Sequence, residues 1–119
     1  MIRVMYIDDE PDLREVAQMA LELDPELAVM ACASGKEALA SVGDFRPALV
    51  LLDVMMPEMD GPSVLAALRQ TLGNAVKIVF ITARASEQDR DGLMALGPNG
   101  VLAKPFDPMT LAQRVREFL

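Results

Sequence analysis

Ile2-Arg3-Val4-Met5-Tyr6-Ile7-Asp8-Asp9-Glu10-Pro11-Asp12-Leu13 contains the change of period that decides the fold. Ile2 to Ile7 is a short, nearly continuous apolar run and reads as a strand covered on both faces. Acids then crowd the chain at Asp8, Asp9, Glu10 and Asp12. Beyond them Leu13, Val16, Ala17, Ala20 and Leu21 recur at helical spacing and share one face. The same unit repeats to the end of the chain. Further strands are expected at Leu27–Ala33, Ala48–Leu52, Lys77–Ile81 and Val101–Ala103. Ser34 with Glu37 is a capping-box pattern for the second helix, whose apolar face is Ala38, Leu39 and Val42. Pro62 suits the first turn of the third, striped by Val64, Leu65, Leu68 and Leu72. Ser86 or Glu87 opens a weaker fourth helix ending near Gly97. Asp107-Pro108 opens the last, with Leu111, Val115 and Phe118 inward. The order (βα)₅ implies an α/β, doubly wound, five-stranded parallel sheet with helices on both faces and right-handed crossovers.

The 119 residues correspond to about one domain with no visible linker or repeat, and a single domain over residues 1–119 without an effector domain is the expectation. A hydrophobic fraction of 52% and a mean hydropathy of +0.26 exclude a disordered chain and provide one core. A net charge of −7 argues against nucleic-acid binding by this chain and against an anionic membrane surface. No apolar run approaches the ~18 residues of a membrane span, and no signal peptide is visible, so a cytoplasmic location is the default expectation. The single cysteine, Cys32, forms no internal disulfide and, like the methionines, reads as core filling. With no histidine, neither a His-metal site nor a His general base exists.

Ligands of such sheets bind beyond the carboxyl ends of the strands. The first strand ends in Asp8-Asp9-Glu10, the third in Asp53, the fourth in Thr82 and the fifth in Lys104-Pro105. Each has a plainer reading: Asp8 or Asp9 as a helix cap, Asp53 as a turn residue, Thr82 as a cap, Lys104 as a solvated end. Jointly the plain readings fail. Crowded carboxylates repel one another, and a cation relieves them; hard oxygen ligands without His or Cys favour Mg²⁺. A carboxylate beside a divalent cation can attack phosphorus, and Lys and Thr can neutralise or bond the phosphoryl oxygens.

In these residues the chain resembles the receiver domain of two-component response regulators. The resemblance spans the whole sequence and rests on Asp8-Asp9, Leu51-Leu52-Asp53-Val54-Met55-Met56-Pro57, Met59-Asp60-Gly61, Ile81-Thr82-Ala83-Arg84 and Lys104-Pro105-Phe106. It implies a flavodoxin-like strand order 2-1-3-4-5. It implies that Asp53 accepts a phosphoryl group from a histidine kinase or a His-containing phosphotransfer protein, so the chain catalyses only its own phosphorylation and dephosphorylation. Asp9, Asp53 and the Met55 carbonyl would hold Mg²⁺, or Mn²⁺ in its place, with Asp8 acting mainly through a bound water. Lys104 would pair with Asp53 and then with phosphate, Thr82 would turn inward to a phosphate oxygen, and the N–H groups of Val54, Met55 and Ala83 would line the phosphoryl pocket. The Lys104-Pro105 peptide would be cis. Met55 and Arg84 would flank the line of water attack.

Val101 stands where receivers commonly carry an aromatic that swings with the threonine. The stretch Gly97-Pro98-Asn99-Gly100 lacks acids, and Thr110 replaces a frequent Glu, leaving Arg114 without its expected partners. A monomer or weak dimer is therefore expected. Three other readings are open at this stage. One is a flavin-binding protein of the same order, although Asp8-Asp9-Glu10-Pro11-Asp12 repels a bare phosphate. A second is a phosphatase with an aspartate nucleophile, although Met55 stands where its second Asp belongs. The third is a receiver-like interaction module that works without phosphorylation.

Overall fold

Burial is nearly continuous along the central strands, because successive side chains point to opposite faces and both faces are covered. A computed structural model describes residues 1–119. The elements are β1 (Ile2–Ile7), α1 (Pro11–Glu22), β2 (Leu27–Cys32), α2 (Gly35–Phe45), β3 (Leu49–Asp53), α3 (Gly61–Leu72), β4 (Lys77–Thr82), α4 (Glu87–Met94), β5 (Gly100–Ala103) and α5 (Leu111–Arg116). All neighbouring strands are parallel, in the order β2-β1-β3-β4-β5. This is the expected flavodoxin-like (βα)₅ fold.

One face of the sheet buries Met5, Ile7, Val50, Leu52, Ile78 and Phe80 against Ala38 and Val42 of α2 and Val64, Leu65 and Leu68 of α3. The other buries Val4, Tyr6, Leu49, Leu51, Val79 and Ile81 against Ala17, Ala20 and Leu21 of α1 and Leu111 and Val115 of α5. Full burial of each such side chain contributes roughly 1.5–3 kcal/mol, so these two layers carry most of the fold's stability. Cys32 is buried, as expected.

Several boundaries differ from the sequence expectation. β3 gains Asp53 and β4 gains Thr82, so each strand's pairing runs into the site. α5 begins only at Leu111. Asp107 holds the preceding turn, its Oδ1 accepting from the Met109 N–H at 2.9 Å and its carbonyl from the Thr110 N–H at 3.1 Å. Those local bonds compete with helix extension. Val16 lies on the rim of its helix face and is exposed. The α2 cap forms as read, Ser34 Oγ accepting from the Glu37 N–H at 3.1 Å, but Glu37 reaches back to the Ala33 N–H rather than to Ser34. α4 buries no residue, although Ser86 caps it through the Asp89 N–H. No helix is long and apolar enough to cross a membrane.

Candidate phosphoacceptor site

Parallel pairing places the carboxyl ends of the strands on one rim. Ile7 lies opposite Leu52, Asp53 opposite Ile81, and Thr82 opposite Ala103. The residues that follow β1, end β3 and β4, and follow β5 therefore converge. Carboxylate oxygens of Asp8, Asp9 and Asp53 lie within 4.8 Å of one another. Asp8 and Asp53 are buried, whereas Asp9 is exposed. Lys104 Nζ bridges the buried pair, 2.9 Å from Asp8 Oδ2 and 3.1 Å from Asp53 Oδ1. The peptide after it, Lys104-Pro105, is cis.

Asp8 is held from three sides. Its Oδ1 accepts from the Glu10 N–H at 3.0 Å, and its Oδ2 accepts from the Tyr6 hydroxyl at 2.8 Å as well as from Lys104. Its carbonyl accepts from Arg14 Nη1 at 2.9 Å. The helix-cap reading of Asp8 and Asp9 does not hold, since the N-cap of α1 is Glu10 with no side-chain cap bond; Asp8 Oδ1 instead closes a turn on the Glu10 N–H while Oδ2 faces Lys104.

Burial first, and then the Asp8 charge, push the Asp53 carboxyl up to about 6, with Lys104 pulling the other way. Burial works against the Lys104 ammonium, but Asp8 and Asp53 outweigh it and hold its pKa above the usual value. Burial and the Asp8 charge also push the Tyr6 phenol well above its usual range.

A cavity of about 150 Å³ opens beside Asp53, lined by Glu10, Met55, Thr82, Ala83, Arg84 and Lys104. The N–H groups of Met55 and Ala83 make no bond within the protein. The Val54 N–H is engaged, donating to the Ile81 carbonyl at 3.1 Å. It extends the β3–β4 ladder, so in this state Val54 is not the free donor that was expected. Thr82 is buried and its hydroxyl is turned to Arg84, accepting from the N–H at 3.0 Å and donating to the carbonyl at 3.3 Å. Met55 is 65% exposed at the cavity mouth. Val101, opposite Phe80, is buried in the core layer beneath α2 and α3.

Sequence reasoning did not single out Tyr6, Arg14 or Gly61 as site residues. Tyr6 was legible in principle, because residues i and i+2 share a strand face and Tyr6 is two before Asp8. Gly61 donates its N–H to the Val54 carbonyl at 2.9 Å and closes the loop that carries Met55.

The donor set fits Mg²⁺. It offers hard carboxylate oxygens with no His or Cys among them, and three acids against one ammonium leave a negative excess that a divalent cation balances. Asp9 is exposed, and its carboxylate oxygen lies within the same 4.8 Å group.

The chain matches the response regulator receiver domain family over residues 4–116. It is similar to an uncharacterized 14.6 kDa protein of Leptolyngbya boryana, 34% identical over 116 residues, covering 97% of this chain and 88% of that protein. It is similar to response regulator Rre1 of Synechocystis, 38% identical over 119 residues, covering 99% of this chain and 52% of that regulator. Among solved structures, the chemotaxis response regulator CheY4 of Vibrio cholerae superposes with a TM-score of 0.90 at 32% identity, covering 100% of this chain and 99% of that one.

The chain belongs to the receiver domains of response regulators, the phosphoacceptor modules of two-component signalling. Such domains bind Mg²⁺ at an acidic pocket and work with histidine kinases or phosphotransfer proteins; their role is signalling rather than metabolic catalysis. The flavin-binding, phosphatase and phosphate-independent readings find no support. The chain spans 88% of the Leptolyngbya protein but about half the length of Rre1 and of CpxR from Escherichia coli.

Proposed function

We propose that Asp53 is the phosphoacceptor and that its phosphorylation requires Mg²⁺ held by Asp9, Asp53 and the Met55 carbonyl, with Asp8 contributing through water. The observation that carries this reading is the position of Asp53. It is a buried carboxylate at a strand end, paired with Lys104 at 3.1 Å, grouped with two further acids, and open to the cavity between Thr82 and Met55. An Asp53 oxygen attacks the phosphorus of a phosphohistidine. The new O–P bond forms as the P–N bond breaks, and the imidazole nitrogen keeps the electron pair. The bound cation supplies charge neutralisation for the phosphoryl oxygens.

The chain's own residues do the rest. Lys104 keeps its ammonium beside Asp53 and follows the charge onto the phosphoryl group. The free N–H groups of Met55 and Ala83 serve as donors, whereas Val54 serves only if its ladder bond opens. Thr82 leaves the Arg84 backbone to bond a phosphoryl oxygen, which releases the first residues before α4. Val101 is β-branched and stiff, so the rearrangement favours the β4–α4 connection over β5.

The test uses acetyl phosphate, whose P–O bond breaks with acetate leaving. Labelling of the intact chain in Mg²⁺, mapped to Asp53 and lost in Asp53→Asn and in EDTA, supports the reading. Labelling that survives either change refutes it.

A further inference from the structure

We propose that Tyr6 is a positioning residue of the acidic pocket, whose buried hydroxyl on Asp8 Oδ2 lowers the pocket's affinity for its divalent cation and keeps Lys104 shared between Asp8 and Asp53. The inference rests on the Mg²⁺-dependent reading above and deepens it.

Tyr6 is 1% exposed, and its ring packs edge-on to Phe106 at 6.5 Å and 75°. Phe106 lies two residues after Lys104, so this contact ties the ring to the loop that delivers the ammonium. A hydroxyl so deeply buried needs a partner, and at 2.8 Å the partner is a carboxylate rather than a backbone carbonyl. Such charge-assisted bonds are about twice as strong as neutral ones.

Allocation of lone pairs gives the consequence. A carboxylate accepts at about four sites, two on each oxygen. On Asp8, Oδ2 serves both Tyr6 and Lys104, and Oδ1 serves the Glu10 N–H. Only one site, on Oδ1, remains for a cation or its water. The positive end of the hydroxyl dipole also faces the carboxylate and screens part of its charge. Removing the hydroxyl makes the pocket more negative and frees a site on Oδ2. Lys104, the remaining donor there, is then drawn toward Asp8 and away from Asp53.

Tyr6→Phe keeps the ring and its Phe106 contact. Its Mg²⁺ dissociation constant, measured by calorimetry on the metal-free protein, is expected to fall three- to tenfold, while acetyl phosphate labelling at saturating Mg²⁺ slows. A residue that merely supports the fold would weaken both when altered. Unchanged affinity within twofold, or weaker affinity in a folded variant, overturns the proposal.

The parent protein offers a second readout if the variant fails to fold. Tyr6 is the only tyrosine and there is no tryptophan, so native emission belongs to this ring. Hydrogen bonding to a carboxylate quenches phenol emission. Emission should be low without metal and rise with Mg²⁺ at the calorimetric midpoint; bright emission that ignores Mg²⁺ overturns the assignment. A parent that binds no Mg²⁺ overturns the metal-site reading and this proposal together. Binding by the parent with an indifferent Tyr6→Phe overturns this proposal alone.

Discussion

Gly61→Ala tests whether the loop from Val54 to Asp60 is held by close backbone approach. A Cβ at residue 61 would sit 2.7 Å from the Asp53 carbonyl oxygen, 2.8 Å from Val54 Cα and 3.3 Å from Phe80 Cε1. The two nearest atoms are backbone, so no side chain can swing away to relieve the clash. The Gly61 N–H also donates to the Val54 carbonyl, and retreat of the glycine would stretch that bond. Ordinary contact requires a shift of roughly half an ångström or more; overpacking of this kind costs about 1–3 kcal/mol. Alanine's higher helix propensity offsets at most a few tenths at a first helical position. For a domain of this size the net change lowers the melting temperature by roughly 4–12 °C. The shift falls on the main chain of Asp53 and on the loop carrying the Met55 carbonyl, so Mg²⁺ affinity should fall with stability. Thermal unfolding with and without Mg²⁺, beside a Mg²⁺ titration, measures both. A variant as stable as the parent, with unchanged Mg²⁺ affinity, would show that the close approach does not position the site.

Three further outcomes are expected. At Gly92 an added Cβ meets nothing within 4 Å and the residue lies inside α4, so Gly92→Ala should stabilise the protein by about 0.5–1 kcal/mol, read from chemical denaturation. In EDTA, the Asp53 carboxyl, raised from 3.8 to about 6, binds its proton more tightly in the folded than in the unfolded chain. Its contribution is therefore full at low pH and is lost as pH rises from about 4 through about 6. Asp53→Asn should remove that limb of the stability profile, and an unchanged limb would assign it to another group. Finally, Met55 and Arg84 line the cavity beside Asp53, and neither side chain serves as a base or orients water well. Met55→Asn/Arg84→Glu should speed phosphate release by at most a factor of ~10² to ~10⁴, the range one orienting group supplies. Decay no faster than the parent's would mean that the pair does not shield the phosphoryl group.

The alternation of strands and helices was legible in the residues alone, because the 2.0 and 3.6 periods are local properties of the chain. The sequence also placed Asp8, Asp9, Asp53, Thr82 and Lys104 at strand ends, since each stands just where an apolar run stops. In a parallel sheet those ends share one rim, so convergence followed from topology alone. How donors and acceptors are allotted among groups far apart in the chain emerged only from the folded arrangement. The motifs implied that Lys104 pairs with Asp53, but no pattern in the sequence says that it also holds Asp8, or that the Tyr6 hydroxyl occupies Asp8. Nor does it say that Thr82 is satisfied by Arg84, or that Ile81 takes the Val54 N–H. The late start of α5 was likewise hidden, because Asp107 diverts its turn through bonds that compete with the helix. Periodicity specifies the face a side chain takes. Its partner is set by ångström-scale distances between strands, and those exist only once the sheet has closed.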